Sequence, residues 1–321
     1  MTATIGQAPH RGHQSLYIGS HTQMTIRHLF TLLNGLLLGC FTAGCNHPAP
    51  PHPFIEWRLP VARTTPSATA PAGASAALRV VTFNVHRISG AALTRAVLAD
   101  EQLRNADIIL MQEVYKSNDC SPACEVAAAL GMHSMYAPGH GAQAGSDGVA
   151  ILSRTPLRDA HVIELPDNFV MFNGGRRVAL AAFTTIGATP VQLVAVHLEN
   201  RISVAKRRAQ LAPVLQFAKQ TDVATIITGD MNTSPFTWAG GILPFPAAQG
   251  RQLEDLARSA GFDTPVANSG PTTPWLSMKL DAIYTRNVRV LHHGVAKHVT
   301  ASDHYPLWAE LELPISTASS N

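Results

Sequence analysis

Residues 223–232, V-A-T-I-I-T-G-D-M-N, constrain the fold more than any other stretch of this chain. Six apolar or β-branched residues in succession suit a short buried strand. The run stops at Gly229, where the chain can turn sharply. Asp230 and Asn232 are thereby presented at the strand's exit, the part of an α/β sheet where chemistry usually sits. A lone G-D-x-N is as readily a polar turn, so the reading depends on the other strands.

Several of them end in the same way. Leu78 to Val85 alternates and is rich in β-branched residues, which predicts a strand leaving near Asn84. A helix is expected over 91–105. Asp107 to Val114 reads as a second apolar strand ending on Glu113, and a carboxylate there needs either water or a partner. Val149 to Arg154 and Val178 to Phe183 are further strands, the latter entered through Gly174-Gly175-Arg176-Arg177. Pro190 to Val196 delivers His197, with Leu198 and Glu199 behind it. A histidine at a strand exit is more often structural than catalytic. Residues 201–220 read as a helix, with Pro213 placed to kink it. Lys206, Arg207 and Arg208 near its start read as a solvated face. A Pro/Gly-rich loop and a helix over 251–260 follow. Asp281 lies near the start of a strand over 279–284. Asp303 and His304 sit in the loop before a last strand over 307–313, because Pro306 can enter only at a strand start or edge.

The polar residues at these strand ends are Asn84, Glu113, His197, Asp230, Asn232, Asp281, Asp303 and His304. In a sheet protein such ends can converge on one face. The inventory is hard oxygen donors plus two histidines, without a cysteine cluster, and such donors select Mg²⁺ or Mn²⁺. Asparagine can donate to a phosphate oxygen, and histidine can stabilise charge on a phosphorane-like centre.

In this order T-F-N-V, Q-E-V, I-L-S-R, V-H-L-E, G-D-M-N, L-D-A-I-Y and S-D-H-Y-P resemble the endonuclease/exonuclease/phosphatase superfamily of deoxyribonuclease-like phosphoesterases, over residues 78–313. No single motif is specific; seven in the family's order are. The resemblance implies a four-layer α/β sandwich, with two mixed β-sheets face to face, helices outside and the site at one edge. It implies Glu113 as principal ligand of Mg²⁺ or Mn²⁺, with Asn84 and Asp303 beside it. Asp230 and Asn232 match the pair that orients the water and the phosphate, His197 the phosphate-stabilising histidine, and His304 a second histidine held by Asp281. Asp230 and the Asp281–His304 pair both remain open as the base. The family's active-site tyrosine has two candidates, Tyr136 and Tyr115.

The segment before this region has a different character. Met24 begins a short basic start, about a dozen mostly apolar residues and then small residues before Cys45, the pattern of a secretory signal. Thr42-Ala43-Gly44-Cys45 resembles a bacterial lipobox, with Leu37-Leu38-Gly39-Cys40 as a weaker match; a plain signal peptide or an uncleaved anchor is the alternative. Residues 1–45 are therefore read as an export signal, with 1–23 upstream of the better start. Residues 46–77, rich in Pro, Ala and Ser, read as a tether. Residues 78–315 are the catalytic domain and 316–321 a tail. The expected location is the cell envelope, as an outer-membrane lipoprotein or a periplasmic protein, with the membrane reached through a lipid on Cys45. Cys120 and Cys124 are then the only cysteines of the mature body. Export favours a disulfide between them, zinc would need two further ligands, and free thiols are the third alternative.

Charge limits the partner. Of 24 basic and 21 acidic residues, 20 of each lie from Leu78 onward, so the body is neutral and lacks the charge of a strongly basic nucleic-acid binder. Nucleic acid remains open as a substrate, since Arg176-Arg177 and Lys206-Arg207-Arg208 can line a groove. The function expected is hydrolysis of phosphate esters, a phosphodiester foremost, by in-line attack of an activated water. An exported nuclease is one alternative and a catalytically silent surface-binding lipoprotein another. The protein is expected to be a monomer.

Overall fold

The computed structural model describes residues 55–58, 77–117, 119–142, 144–168, 175–233 and 246–314. The export signal, Cys45 included, most of the 46–77 tether and the tail lie outside the described residues.

Two mixed sheets are built by period-2 alternation. In β2 (Ala77–Asn84) and β3 (Ile108–Lys116), Leu78, Val80, Ile108 and Leu110 point one way and Val81, Phe83, Ile109 and Met111 the other. The first set meets Leu180, Leu193 and Ile226 of the second sheet, forming the core between the sheets. The second set packs on Leu93 and Val97 of α1 (Gly90–Ala99) and Val126 of α3 (Pro122–Leu130). On the far side, Val194, Val196 and Ile227 pack on Leu211, Val214 and Leu215 of α4 (Val204–Ala218) and Leu253 of α5 (Pro246–Ser259). The layers run helix, sheet, sheet, helix, as a strand that is apolar on both faces requires.

One sheet joins β1 (Glu56–Arg58), β4 (His133–Ala142), β5 (Gly145–Ser153), β11 (Arg289–Val295) and β12 (Leu307–Glu312) to β2 and β3. The other holds β6 (Arg158–Glu164), β7 (Val178–Ile186), β8 (Thr189–His197), β9 (Ala224–Asp230) and β10 (Asp281–Arg286). Among the described residues the seven-stranded sheet has the order β1-β4-β5-β3-β2-β12-β11 and the five-stranded sheet β10-β9-β8-β7-β6. Among the described residues only β2/β3 and β8/β9 are parallel. Each parallel pair therefore brings two strand exits to the same edge.

The structure differs from the sequence reading in several places. The helix expected over 91–105 is broken at Asp100, whose carboxylate accepts from Leu103 N at 2.8 Å and caps the short α2 (Glu101–Arg104). Glu56–Arg58, inside the stretch read as tether, adds to β4 as an edge strand, with Glu56 paired to Lys116. Pro213 lies inside α4, where the sequence places it. Arg207, read as solvated, is fully buried: its guanidinium donates to the carbonyls of Glu199 and Asn200 and to Gln249. Lys206 and Arg208 are exposed. The disulfide that the sequence favours is present: Cys120 and Cys124 are bridged at the start of α3, where Ser121 Oγ accepts from Cys124 N at 3.2 Å.

Candidate active site

Strand register assembles the site. In the parallel β8/β9 pair His197 stands beside Asp230, and in the antiparallel β9/β10 pair Asp230 stands beside Asp281, so three polar residues form one row across the sheet. Gly229 makes this row achievable: a Cβ there would lie 1.8 Å from the Val196 carbonyl oxygen, so only glycine allows β9 this close to β8. From the facing sheet, Asn84 ends β2 beside Gln112 of β3. The register of β3 against β5 shifts between Met111 and Val114, and Glu113 at that irregularity has φ +53°. His86 (+42°), Arg87 (+57°) and Asn232 (+48°) are also left-handed, a concentration of strained backbone typical of functional sites.

Asn84 joins the two sheets. Its Nδ2 donates to Glu113 Oε1 at 3.1 Å and to Asp230 Oδ2 at 3.0 Å, while its Oδ1 accepts from His86 N at 3.0 Å, which fixes the amide's orientation. His304 reaches the same carboxylate from the loop before β12. Its Nδ1 lies 2.8 Å from Asp281 Oδ2 and its Nε2 3.7 Å from Asp230 Oδ2. That loop is latched by Ser302, whose hydroxyl donates to the Asn84 carbonyl at 2.8 Å. Asn232 N donates to Asp230 Oδ1 at 2.8 Å, and Asn232 Nδ2 to the Leu198 carbonyl at 2.8 Å.

Asn84, Glu113, His197, Asp230, Asn232, Asp281 and His304 are thus one cluster. Asp303 is more peripheral: it is exposed, and its Oδ2 lies 3.1 Å from His86 Nδ1, which is itself 3.6 Å from Glu113 Oε2. Arg176 is held by Glu164 and the Pro138 carbonyl. Arg177 is buried behind the site, with Nε 3.0 Å from Glu199 Oε2 and Nη1 3.2 Å from His197 Nδ1. Of the two tyrosines, Tyr136 places its hydroxyl on Ser146, 3.0 Å from its carbonyl oxygen, and Tyr115 stands opposite Asp147 in the β3/β5 pairing. Ordinary polar types gave no signal for several participants: His86, Ser302, the Arg87–Asp147 pair at 2.6 Å, and Thr272, whose hydroxyl accepts from Asp281 N at 3.2 Å. Only Glu199 was hinted at, by its place two residues after His197.

The electrostatics follow from burying several carboxylates together. Burial, and then the Asp147 carboxylate, push Glu113 above the ordinary carboxylate range. Burial chiefly, with Asp281 and Glu113 adding, pushes Asp230 up to about 7. Burial alone would lower His304, but Asp281 and Asp230 outweigh it and raise the imidazole to about 10. Burial, followed by Arg177, drives His197 well below its ordinary value. At neutral pH His304 is therefore charged and His197 neutral. One ligand atom each from Glu113, His197 and Asp230 lie within 4.8 Å of one another. Two carboxylates on one amide, both resisting ionisation, form a donor set that a hard divalent cation satisfies.

Two mixed sheets packed face to face with flanking helices, carrying a carboxylate–imidazole cluster at one edge, define a four-layer α/β sandwich. The sequence profile of the Endonuclease/Exonuclease/phosphatase family matches residues 81–304, and the chain belongs to that family. No curated protein matches the sequence. Among solved structures the fold is similar to an endonuclease/exonuclease/phosphatase from Beutenbergia cavernae (TM-score 0.59, 20% identity, covering 74% of this chain and 72% of that one). It is also similar to D. rerio TDP2 complexed with a single-strand DNA product (TM-score 0.55, 18% identity, 74% and 99% covered). A third is ANGEL2, a 2′,3′-cyclic phosphatase, in complex with adenosine-2′,3′-vanadate (TM-score 0.55, 16% identity, 74% and 96% covered). Members of this family are typically metal-dependent phosphoester hydrolases.

Proposed function

We propose that this chain hydrolyses phosphate esters, a phosphodiester foremost, with Mg²⁺ or Mn²⁺ bound at the edge of the sandwich. The observation that carries the reading is the sharing of Asn84 Nδ2 between Glu113 and Asp230 at 3.1 and 3.0 Å, with the Asp281–His304 pair against Asp230. Glu113, with 22% of its side chain exposed against 1% for Asp230, would hold the cation on the open side. Bound there, the cation neutralises charge on the phosphoryl oxygens. Asp303, two contacts away through His86, completes the acidic side of the mouth.

Asp230 is the proton acceptor in this reading. A carboxylate whose value sits near 7 matches the working pH of a general base. His304 is occupied by its own proton between two carboxylates, so it stabilises charge and keeps Asp230 oriented. The water oxygen bonds to phosphorus and its proton passes to Asp230. The ester P–O bond opposite breaks, and the leaving oxygen keeps that bond's electron pair and takes a proton from solvent. His197 and Asn232 hold the phosphoryl oxygens as charge builds.

The test is a substrate panel of plasmid DNA, RNA, sphingomyelin, inositol phosphates and aryl phosphate mono- and diesters, each with Mg²⁺ or Mn²⁺ and with chelator. Hydrolysis of one member that chelator stops supports the reading; silence across the panel rejects it. We also infer that the chain is exported and carries lipid on Cys45, from the basic start, apolar run and Ala43-Gly44-Cys45. Mass spectrometry of the mature N-terminus decides this, and an unmodified Cys45 rejects it.

A further inference from the structure

We propose that Arg177, braced by Glu199, is a positioning residue that locks His197 as its Nε2–H tautomer. His197 then meets the phosphoryl group as a neutral hydrogen-bond donor and is not a ligand of the cation. The last clause rests on the hydrolase reading; the tautomer does not.

Donor polarity fixes the tautomer. Arg177 Nη1 lies 3.2 Å from His197 Nδ1. A guanidinium has five N–H donors and no acceptor, so in this contact Nδ1 must supply the lone pair. A neutral imidazole carries one proton, which is therefore on Nε2. That nitrogen lies 3.8 Å from both Glu113 Oε1 and Asp230 Oδ2, facing the centre of the site. The other tautomer sets two donors against each other in a buried place, leaving groups unsatisfied at about 1–3 kcal/mol each. The imidazolium sets two cations in contact. The strong lowering of His197 by burial and Arg177 agrees with this.

Arg177 cannot turn away to relieve the contact. Its Nε is 3.0 Å from Glu199 Oε2, and both residues are buried. The other Glu199 oxygen accepts from Asn200 N at 3.0 Å, and Glu199 N donates to Gln210 Oε1 at 2.9 Å. Rotating the guanidinium would strand a buried carboxylate, which is strongly unfavourable.

The consequence concerns the cation. Metal-ligating histidines usually donate their second N–H to a carboxylate or carbonyl, which bares the ligating nitrogen. Here the group behind His197 is itself a donor, the reverse polarity. Of the three ligand atoms that lie within 4.8 Å, the His197 nitrogen is disqualified and the oxygens of Glu113 and Asp230 remain. The arrangement thus separates two tasks: carboxylates for the cation and water, an oriented N–H for the phosphoryl oxygen.

The test is ¹⁵N-histidine NMR on the purified full-length protein near pH 7.5, with His197 assigned by His197→Gln. The expected spectrum shows an unprotonated Nδ1 and a protonated Nε2, both unchanged when Mg²⁺ is added. A protonated Nδ1, an imidazolium, or loss of the Nε2 proton on adding Mg²⁺ overturns the proposal. Replacing the pair together, Arg177→Met with Glu199→Met, removes both charges at once and should give a mixture of tautomers. It should also lower kcat, by at most the roughly 10²–10³-fold that one transition-state donor supplies, with a smaller change in KM. Arg177→Lys restores a charged donor opposite Glu199 and should recover most of both signals. An unchanged His197 spectrum in a folded double variant also overturns the proposal. If the double variant does not fold, the wild-type and Arg177→Lys spectra decide. The expected tautomer without any hydrolysis would reject the hydrolase reading and leave the lock standing; the opposite tautomer in an active enzyme would do the reverse.

Discussion

Asp281 and Asp230 stand side by side on adjacent antiparallel strands, and the imidazole of His304 is inserted against both, 2.8 Å from one carboxylate and 3.7 Å from the other. Two buried like charges would repel; the histidine makes the arrangement tolerable by staying protonated. Its value of about 10 lies above the ordinary 6.5, so the stabilisation it provides is complete below about pH 6.5 and is lost as pH rises through 10. Urea unfolding in chelator should therefore show a large gap between wild type and His304→Gln at pH 6 that closes by about pH 10. A gap independent of pH would count against this account. Asp281→Asn should lower the hydrolysis rate by on the order of 10²–10³.

Asp230→Asn should trade activity for stability. A carboxyl whose value is raised to about 7 folds most favourably while protonated, and its contribution is lost as pH rises through 7. At pH 8 in chelator the asparagine variant should melt several degrees above wild type, with the difference vanishing near pH 4. Its hydrolytic activity should be nearly abolished. Differential scanning calorimetry across that range is the measurement, and a variant less stable at pH 8 would contradict the electrostatic picture.

Cation binding should relieve the same repulsion. Saturating Mg²⁺ or Mn²⁺ should raise the melting temperature, and by linkage a concentration about 100 times Kd adds about 2.7 kcal/mol. In Glu113→Gln the shift should shrink and activity should fall, while the unbound variant melts no lower than wild type because burial already disfavours the Glu113 charge. An unaltered metal response in that variant would place the cation elsewhere.

Gly229→Ala tests the sheet geometry directly. The new methyl would meet the Val196 carbonyl at 1.8 Å, so β9 must move away from β8, shifting Asp230 relative to His197. A destabilisation of about 3 kcal/mol or more, with loss of activity, is expected from denaturant unfolding and initial rates. A variant with wild-type stability would mean that the strands are further apart than described.

The Cys120–Cys124 bridge closes a short loop at the start of α3. Chain-entropy arguments assign such a loop about 2 kcal/mol. Cys120→Ser with Cys124→Ser should lower stability by about that amount in urea unfolding and leave activity intact, since neither residue belongs to the cluster around Asp230.

Much of this protein was determined by local sequence. The apolar runs around Val80, Ile109, Val194 and Ile227 had to become buried strands, because no other element hides side chains on two alternating faces over so few residues. Three of them end on Asn84, His197 and Asp230, and the fourth, β3, carries Glu113 at its irregularity and runs on to Lys116, so these members of the cluster were readable. Less regular segments were not readable. Three strands, β4, β6 and β11, carry glycine, proline, charge or register shifts that blur a period of two. Helix α3 could not be told from a cysteine loop, and Glu56–Arg58 is too short to show any pattern. Apart from the Asp281–His304 pair, which the family resemblance implied, how the site residues are paired was decided only by the tertiary structure. Arg177 and Glu199 lie 22 positions apart and look like a surface cation and a strand-end acid, yet they meet buried behind His197. Asn84 and Asp230 are 146 positions apart and share a hydrogen bond. Residue type sets which charges a chain contains, but burial and distance set which of them are ionised and what each one faces; both exist only once the two sheets have packed.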